Sequence, residues 1–277
     1  MRNYPKVLAI ILNYKTYEMT LDIIDKLKNL NYPELDVLVV DNNSPNESAD
    51  KLRKATEDKK FFFIANDKNA GYAAGNNIGI CYAVEHKYEF SWILNNDLVF
   101  DDENILNALI EAAENNPKVA CVGPKITDLD GNIVAPYIKR PTRWSLTLGM
   151  ANAKRERLKY KTKSGIVYRV YGCCMLLKNS MMEEIGYMDE RTFLYCEEDI
   201  LAERLLKIDG HAYYCANTNV IHLESMTVNR EQGKKSLKKA MIVMKSMKLY
   251  LKDYLHYGFF SRMICMSLRF MIMLLRG

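Results

Sequence analysis

The 277-residue chain is 49% hydrophobic, yet nowhere does it hold an uninterrupted apolar run of bilayer-spanning length, roughly 18 residues. It contains no G-x-x-x-x-G-K-[ST] loop, and the turn after its first apolar run lacks G-x-G-x-x-G, which sets aside simple NTPase and dinucleotide readings. Its seven cysteines lack metal-finger spacing. Cys81, Cys121, Cys173, Cys174 and Cys215 sit in apolar segments, which suits buried thiols in a reducing cytoplasm better than a disulfide framework. The opening stretch MRNYPKVLAIILNYK has a short apolar core but no small-residue cleavage site, so a first strand is expected there rather than a signal peptide. No internal repeat is visible.

What is present is an alternation of buried-strand and helix patterns. Val7 to Leu12, Val37 to Val40, Phe61 to Ile64, Phe90 to Leu94 and Val119 to Val122 read as strands, with helical spacing between them at Leu21, Ile24, Leu27 and Leu30, at Glu47 to Thr56, at Tyr72 to Val84 and at Ile105 to Ala113. This β-α-β order predicts an α/β fold with a mostly parallel central sheet flanked by helices. In such sheets ligands bind outside the carboxyl ends of the strands, so the polar groups at Asn13, Asp41 and Asn95 to Asp97 should converge on one edge. The second half is less regular. A turn is expected at Asp128 to Gly131, a flexible loop at Lys139 to Gly165, and one strand at Tyr168 to Leu177. Short helices are expected at Met181 to Ile185 and Ile200 to Ile208, with short strands at Ala212 to Ala216 and Val220-Ile221.

Four constellations carry chemistry. Asn95-Asn96-Asp97 follows a core strand, where a carboxylate can hold a divalent cation that also grips a diphosphate; the ordinary alternative is a polar turn. Glu197-Glu198-Asp199 gathers three acids before a helix, and their mutual repulsion can leave one with a raised pKa suited to proton transfer, although helix-dipole compensation alone explains Asp199. His222 follows the apolar pair Val220-Ile221, a setting in which a lone histidine is usually structural. Asn69-Ala70-Gly71-Tyr72-Ala73-Ala74-Gly75-Asn76-Asn77 opens a helix with glycines that let backbone approach a ligand, or that simply pack.

The segments VLAIILNYK, VLVVDNNS, NAGYAAGNN, WILNNDLVF, YGCCMLLKNSMMEEIGYMDERTFLYCEEDILAERL and VIHLES, in this order, resemble glycosyltransferase family 2, the inverting type with the GT-A fold, and its rhamnosyltransferase-like branch. The resemblance implies that Asn13, Asp41, Asn43, Asn69, Gly71, Asn76, Asn95 and Asn96 line a nucleotide-sugar pocket. It implies Asp97 and His222 at a Mg²⁺ or Mn²⁺ site, and Gly172, Cys173 and Tyr195 beside the acceptor. Glu198 matches the base of the family's E-D pair, with Asp199 and then Glu197 as the other candidates for that register. Asn95 replaces the first acid of the family's D-x-D. The implied partners are a dTDP-, UDP- or GDP-linked sugar and a saccharide or polyprenyl-linked acceptor in cell-surface polysaccharide synthesis. A sugar-1-phosphate nucleotidyltransferase is the competing enzyme, but NYKTYEMT stands where its Gly-rich basic loop belongs. A non-catalytic partner of the same fold is the other alternative, supported only by Asn95.

The domain expectation is a catalytic unit over residues 1–225, with a nucleotide half to about 125 and an acceptor half beyond it, then a tail over 226–277. From Met226 to Gly277 there are 11 Lys/Arg against 2 Asp/Glu, in a chain of net charge +5, so the body ahead of the tail is net acidic. Large apolar residues interleave with Arg262, Arg269 and Arg276. That mixture favours an amphipathic helix on an anionic membrane over nucleic acid, with packing on its own domain or in a homodimer as the alternatives. The expected location is the cytoplasm, peripheral on the inner face of the cell membrane.

Overall fold

The computed structural model describes residues 4–133, 136–148, 163–223 and 237–276. In chain order the elements are β1 (Val7–Asn13), α1 (Tyr17–Leu27), β2 (Leu35–Asp41), α2 (Ser48–Lys59), β3 (Phe62–Ala65), α3 (Tyr72–Glu85), β4 (Phe90–Leu94), β5 (Leu98–Phe100), α4 (Ile105–Glu114) and β6 (Val119–Thr127). They continue with α5 (Arg143–Leu148), β7 (Gly165–Val167), β8 (Cys174–Lys178), α6 (Asn179–Glu184), α7 (Glu197–Leu206), β9 (His211–His222), α8 (Leu237–Leu249), a π-helical turn (Tyr250–Tyr254) and α9 (Phe259–Arg276).

Among the described residues the strands form one sheet in the order β3-β2-β1-β4-β8-β6-β9-β5, with β7 also paired to β9. β1 runs parallel to β2 and β4, β2 parallel to β3, and β6 parallel to β9, whereas β8 is antiparallel to β4 and β6, and both β5 and β7 are antiparallel to β9. The expected mostly parallel α/β sheet is therefore present, with three reversed strands. β1 shows why the run is apolar without alternation: Val7, Ala9 and Ile11 join one core with α1, α2 and α4, while Leu8 and Ile10 join a second core with α3, α6 and α7. Both faces of the strand are buried, so both side-chain sets must be apolar.

Several expected elements are redrawn. The expected loop at Lys139 to Gly165 contains α5 and ends at the start of β7, and its residues 149–162 lie outside the described set. Of the single strand expected at Tyr168 to Leu177 only β8, starting at Cys174, forms; β7 ends just before it at Val167, Tyr168 and Arg169 bridge to Tyr137 and Ile138, and the side chains of Tyr168 and Arg169 and the Gly172 amide bond to α7. The two short strands expected after Gly210 are one long β9, whose pairing with β6 shifts register between Pro124 and Lys125. The turn at Asp128 to Gly131 forms as expected, with Gly131 N–H donating to Asp128 O and Gly131 at φ +77°.

The C-terminal helices dock on the body. Tyr250 and Tyr254 pack with Ile200 of α7, and Met247, Leu251 and Cys265 form a further small core. Ser246 Oγ donates to Leu194 O at 2.8 Å, and Tyr254 Oη donates to Asp189 at 2.6 Å. α9 is amphipathic, as expected for the tail, and no helix among the described residues is long and apolar enough to cross a membrane.

Candidate active site

The carboxyl ends of β1, β2 and β4 lie side by side, since Asn13 pairs with Asp41 and Ile11 with Leu94. Asn13 Nδ2 donates to Asp41 Oδ1 at 2.7 Å, and Asp41 also accepts from the Ser44 hydroxyl at 2.7 Å and the Ser44 amide at 2.9 Å. Thr20 Oγ1 donates to Asn13 Oδ1 at 2.9 Å, and Asn96 Nδ2 donates to Thr20 at 2.9 Å and Thr16 at 2.8 Å. One hydrogen-bonded chain thus runs along the sheet edge from Asp41 to Asn96. Asn13 and Asp41 are its buried members, while Asn43, two residues past Asp41, is exposed at φ +57°.

The NAGYAAGNN stretch is partly a packing device. Asn69 Oδ1 accepts from Asn42 and from the Gly71 amide, both at 3.1 Å. Gly71 sits at φ +103°, and a Cβ there would lie 2.2 Å from Phe193 O. The close approach that demands glycine is thus that of the chain's own 193–195 segment, not of a ligand. Asn76 is fully buried, donating to Tyr72 O with its own carboxamide oxygen unpartnered, so it presents no surface to the cleft. Asn42, Thr16 and Thr20, which sequence patterns did not single out, are the hubs of the edge; polar residues just beyond strand ends were the available signal.

Asp97 and His222 meet because β5 pairs antiparallel with β9, setting Leu98 opposite His222. Asp97 Oδ1 and His222 Nε2 are 3.2 Å apart, both side chains are nearly buried, and neither atom has a hydrogen-bond partner. A carboxylate oxygen and an imidazole nitrogen side by side, each buried without a hydrogen-bond partner, would suit a shared cation as its oxygen and nitrogen donors. Among the described residues no group of three or more His, Cys, Asp or Glu forms a complete protein cage. Tyr171 covers the imidazole edge-on at 6.0 Å between centroids.

The acids Glu197, Glu198 and Asp199 form the first turn of α7 rather than preceding it. Tyr195 and Cys196, immediately before them, both hold left-handed backbone at φ +72° and +65°, a strained pair for residues with side chains. The three acids have different surroundings. Glu197 is buried with Oε2 unpartnered; burial, then the Glu198 charge, pushes its carboxyl well up. Asp199 is bound to Arg169 Nε at 2.8 Å, and its backbone carbonyl accepts from Tyr168. Burial raises its pKa against the pull of Arg169. Glu198 accepts the Gly172 amide at 3.1 Å and lies 4.0 Å from Arg169. A Cβ on Gly172 would stand 2.7 Å from Glu198 Oε1, so glycine is what admits this carboxylate to the backbone.

The segment Tyr171-Gly172-Cys173 links the two centres. Cys173 O accepts from the Asn95 amide, and the Cys173 thiol is pushed up by burial and by charges that include both Asp97 and Glu198. Tyr72 Oη reaches Gly172 O at 2.5 Å from α3. The three-residue segment therefore touches both centres, with Tyr171 against His222 and the Gly172 amide on Glu198. Arg169 is the site residue that sequence patterns missed: a buried guanidinium, stacked 3.7 Å over Tyr137, that partners Asp199 and sits near Glu198.

The sequence model of Glycosyl transferase family 2 matches residues 8–186. The chain belongs to glycosyl transferase family 2. This family-2 protein is 27% identical over 228 residues to the low-salt glycan biosynthesis hexosyltransferase Agl10 of Haloferax volcanii, covering 80% of this chain and 68% of that one. It is 26% identical over 138 residues to an N-acetylglucosaminyl-diphospho-decaprenol L-rhamnosyltransferase of Mycobacterium tuberculosis, covering 46% of this chain and 44% of that protein, so the match spans less than half of that relative. Among solved structures, a mannosyltransferase from Pyrobaculum calidifontis in complex with GDP-Man and Mn²⁺ superposes with a TM-score of 0.63 at 14% identity, over 97% of this chain and 70% of the other. At that identity the likeness establishes the fold, which is GT-A. Family membership makes the chain a glycosyltransferase.

Proposed function

We propose that the enzyme transfers a hexose, with rhamnose the first candidate, from a nucleoside diphosphate to a hydroxyl of a saccharide or polyprenyl-linked acceptor in envelope polysaccharide synthesis, by a single inverting displacement. The observation that carries this reading is the segment Tyr171–Cys173, which contacts the Asp97–His222 pair through Tyr171 and Glu198 through the Gly172 amide. Asn13, Asp41 and Ser44 form the floor of the base pocket, Asn43, Asn69 and Asn96 its polar rim, and Gly172, Cys173 and Tyr195 border the acceptor.

Asp97 Oδ1 and His222 Nε2 would hold Mg²⁺ or Mn²⁺. Bound there, the cation supplies compensation for the charge that grows on the departing diphosphate. The protein's own work is proton transfer and orientation. The Gly172 amide fixes one oxygen of Glu198, leaving the carboxylate to take the proton from the acceptor hydroxyl. The acceptor oxygen then bonds to the anomeric carbon as the bond to the diphosphate oxygen breaks, and that oxygen keeps the electron pair. Glu197, buried with its carboxyl pushed well up, and Asp199, bound to Arg169, are the less suited bases.

A thermal-shift panel of dTDP-, UDP- and GDP-sugars with Mn²⁺, followed by turnover with and without EDTA, tests this reading. A stabilising donor raises the melting temperature by mass action. Transfer should require metal. Donor binding without transfer to any offered acceptor would favour a non-catalytic role, and release of pyrophosphate from a sugar-1-phosphate and a nucleoside triphosphate would favour nucleotidyl transfer.

A further inference from the structure

The molecule exposes large apolar side chains on two helices that touch each other. On α9, Phe260 is 80% exposed, Ile264 63%, Met271 49% and Leu275 84%. With Met263 and Leu268, also exposed, these recur at the three- and four-residue spacing of one helix face. The flank about 100° round the helix is already occupied: Cys265 is buried against Met247 and Leu251, and its sulfur accepts the Thr147 hydroxyl of α5. The exposed stripe is therefore not the face that docks the helix onto its own domain. α5 packs on α9 through that Thr147 contact, with Arg143 stacked over Tyr257 just ahead of α9, and it leaves Trp144 68% exposed, with Leu148 one turn further on also exposed. The neighbouring α8, which shares the Met247–Cys265 core, exposes Lys238, Lys245 and Lys248, and the π-helical turn after it exposes Lys252.

We propose that α5 and α9 together form a platform that lies on an anionic bilayer surface, with Trp144 as an interfacial anchor and the lysines of α8 supplying attraction to acidic headgroups. The platform deepens the reading of the enzyme as one that works on a membrane-linked acceptor. Charge complementarity selects the occupant. A tail with 11 Lys/Arg against 2 Asp/Glu would repel a second copy of itself but is drawn to a negative leaflet. Exposed aliphatic and aromatic residues on one face of a helix, beside lysines, are the composition that settles at the headgroup boundary. The contribution of α5 separates this from a simple tail anchor, because Trp144 lies more than a hundred residues before α9.

Flotation of the full chain with vesicles of phosphatidylcholine, alone or with 30% phosphatidylglycerol, tests the platform. The protein should float with the mixed vesicles and not with phosphatidylcholine alone. F260D/I264D should weaken flotation by at least about tenfold, and Trp144→Ala by several-fold, at unchanged melting temperature because these side chains are exposed. Donor binding should stay at the level of the unaltered chain, so the outcome is independent of whether the glycosyl-transfer reading holds. Absence of flotation with mixed vesicles overturns the proposal. Flotation indifferent to Trp144→Ala overturns the α5 contribution. A dimer by light scattering that F260D/I264D converts to monomer, with no vesicle binding, assigns the face to a second copy instead.

Discussion

Glu198 differs from its two neighbours by one contact, the Gly172 amide, by being less buried than Glu197, and by standing 4.0 Å from Arg169, which Asp199 holds at 2.8 Å. Glu198→Gln is expected to lower transfer by about 10²- to 10⁴-fold, the usual worth of a positioned base, while donor affinity measured by calorimetry stays the same. Retained turnover would move the base to another residue. Glu197→Gln makes the converse case. The folded-state pKa of this carboxyl is raised, so any stability it contributes is present below its unfolded value and lost as pH rises; at neutral pH its ionisation can only oppose folding. The variant should keep most of its activity, with a melting temperature at neutral pH equal to or above that of the parent. Gly71→Ala would meet Phe193 O in left-handed backbone and should cost roughly 2 kcal/mol or more in chemical denaturation, with loss of the 193–195 conformation beside the acids.

At the level of elements, two pairings build the site. The short β5 against β9 brings together Asp97 and His222, which are far apart in sequence. Asp97→Ala should weaken donor binding in the presence of Mn²⁺ and leave metal-free binding unchanged; equal affinities in both conditions would refute ligation. The second pairing is α7 against the π-helical turn. Tyr250 Oη and Tyr168 Oη are 2.7 Å apart, Tyr168 also donates to Glu203 at 2.8 Å, and Arg140 clamps Glu203 with two bonds. The C-terminal segment is thereby tied to the helix that carries the acids. Tyr250→Phe keeps the ring but removes one buried hydrogen bond, so a loss of about 1 kcal/mol is expected in urea unfolding. The helix of acids was legible in the sequence as a cluster. Its tie to Tyr250 was not, because a tyrosine in an apolar tail reads as generic packing until its hydroxyl has a named partner.

For the molecule as a whole, the body and the C-terminal helices share an acid-sensitive joint. Burial opposes ionisation of Asp189, but hydrogen bonds from Arg191 and from Tyr254 of the π-helical turn prevail and hold its pKa at about 2. A depressed pKa contributes stability that is present above the unfolded value near 4 and is lost as pH falls through about 2. Thermal unfolding followed between pH 5 and 2 should show that loss, and Asp189→Asn should flatten the curve in that window while lowering stability at neutral pH. An unchanged slope would mean the joint does not couple the two parts.

The sequence by itself determined the α/β class, the order of the first strands and helices, and the residues that end those strands, because apolar periodicity and strand-end polarity are local properties that folding preserves. It also marked the acid cluster and, through the family resemblance, Asp97 and His222. Only the tertiary structure decided which atoms meet. The β5–β9 register set Asp97 beside His222, the bare backbone at Gly172 admitted Glu198, and the chain's own 193–195 segment, not a ligand, explained Gly71. Such contacts join residues tens to more than a hundred positions apart, and no local pattern encodes which of two polar side chains the packing will bring within 3 Å.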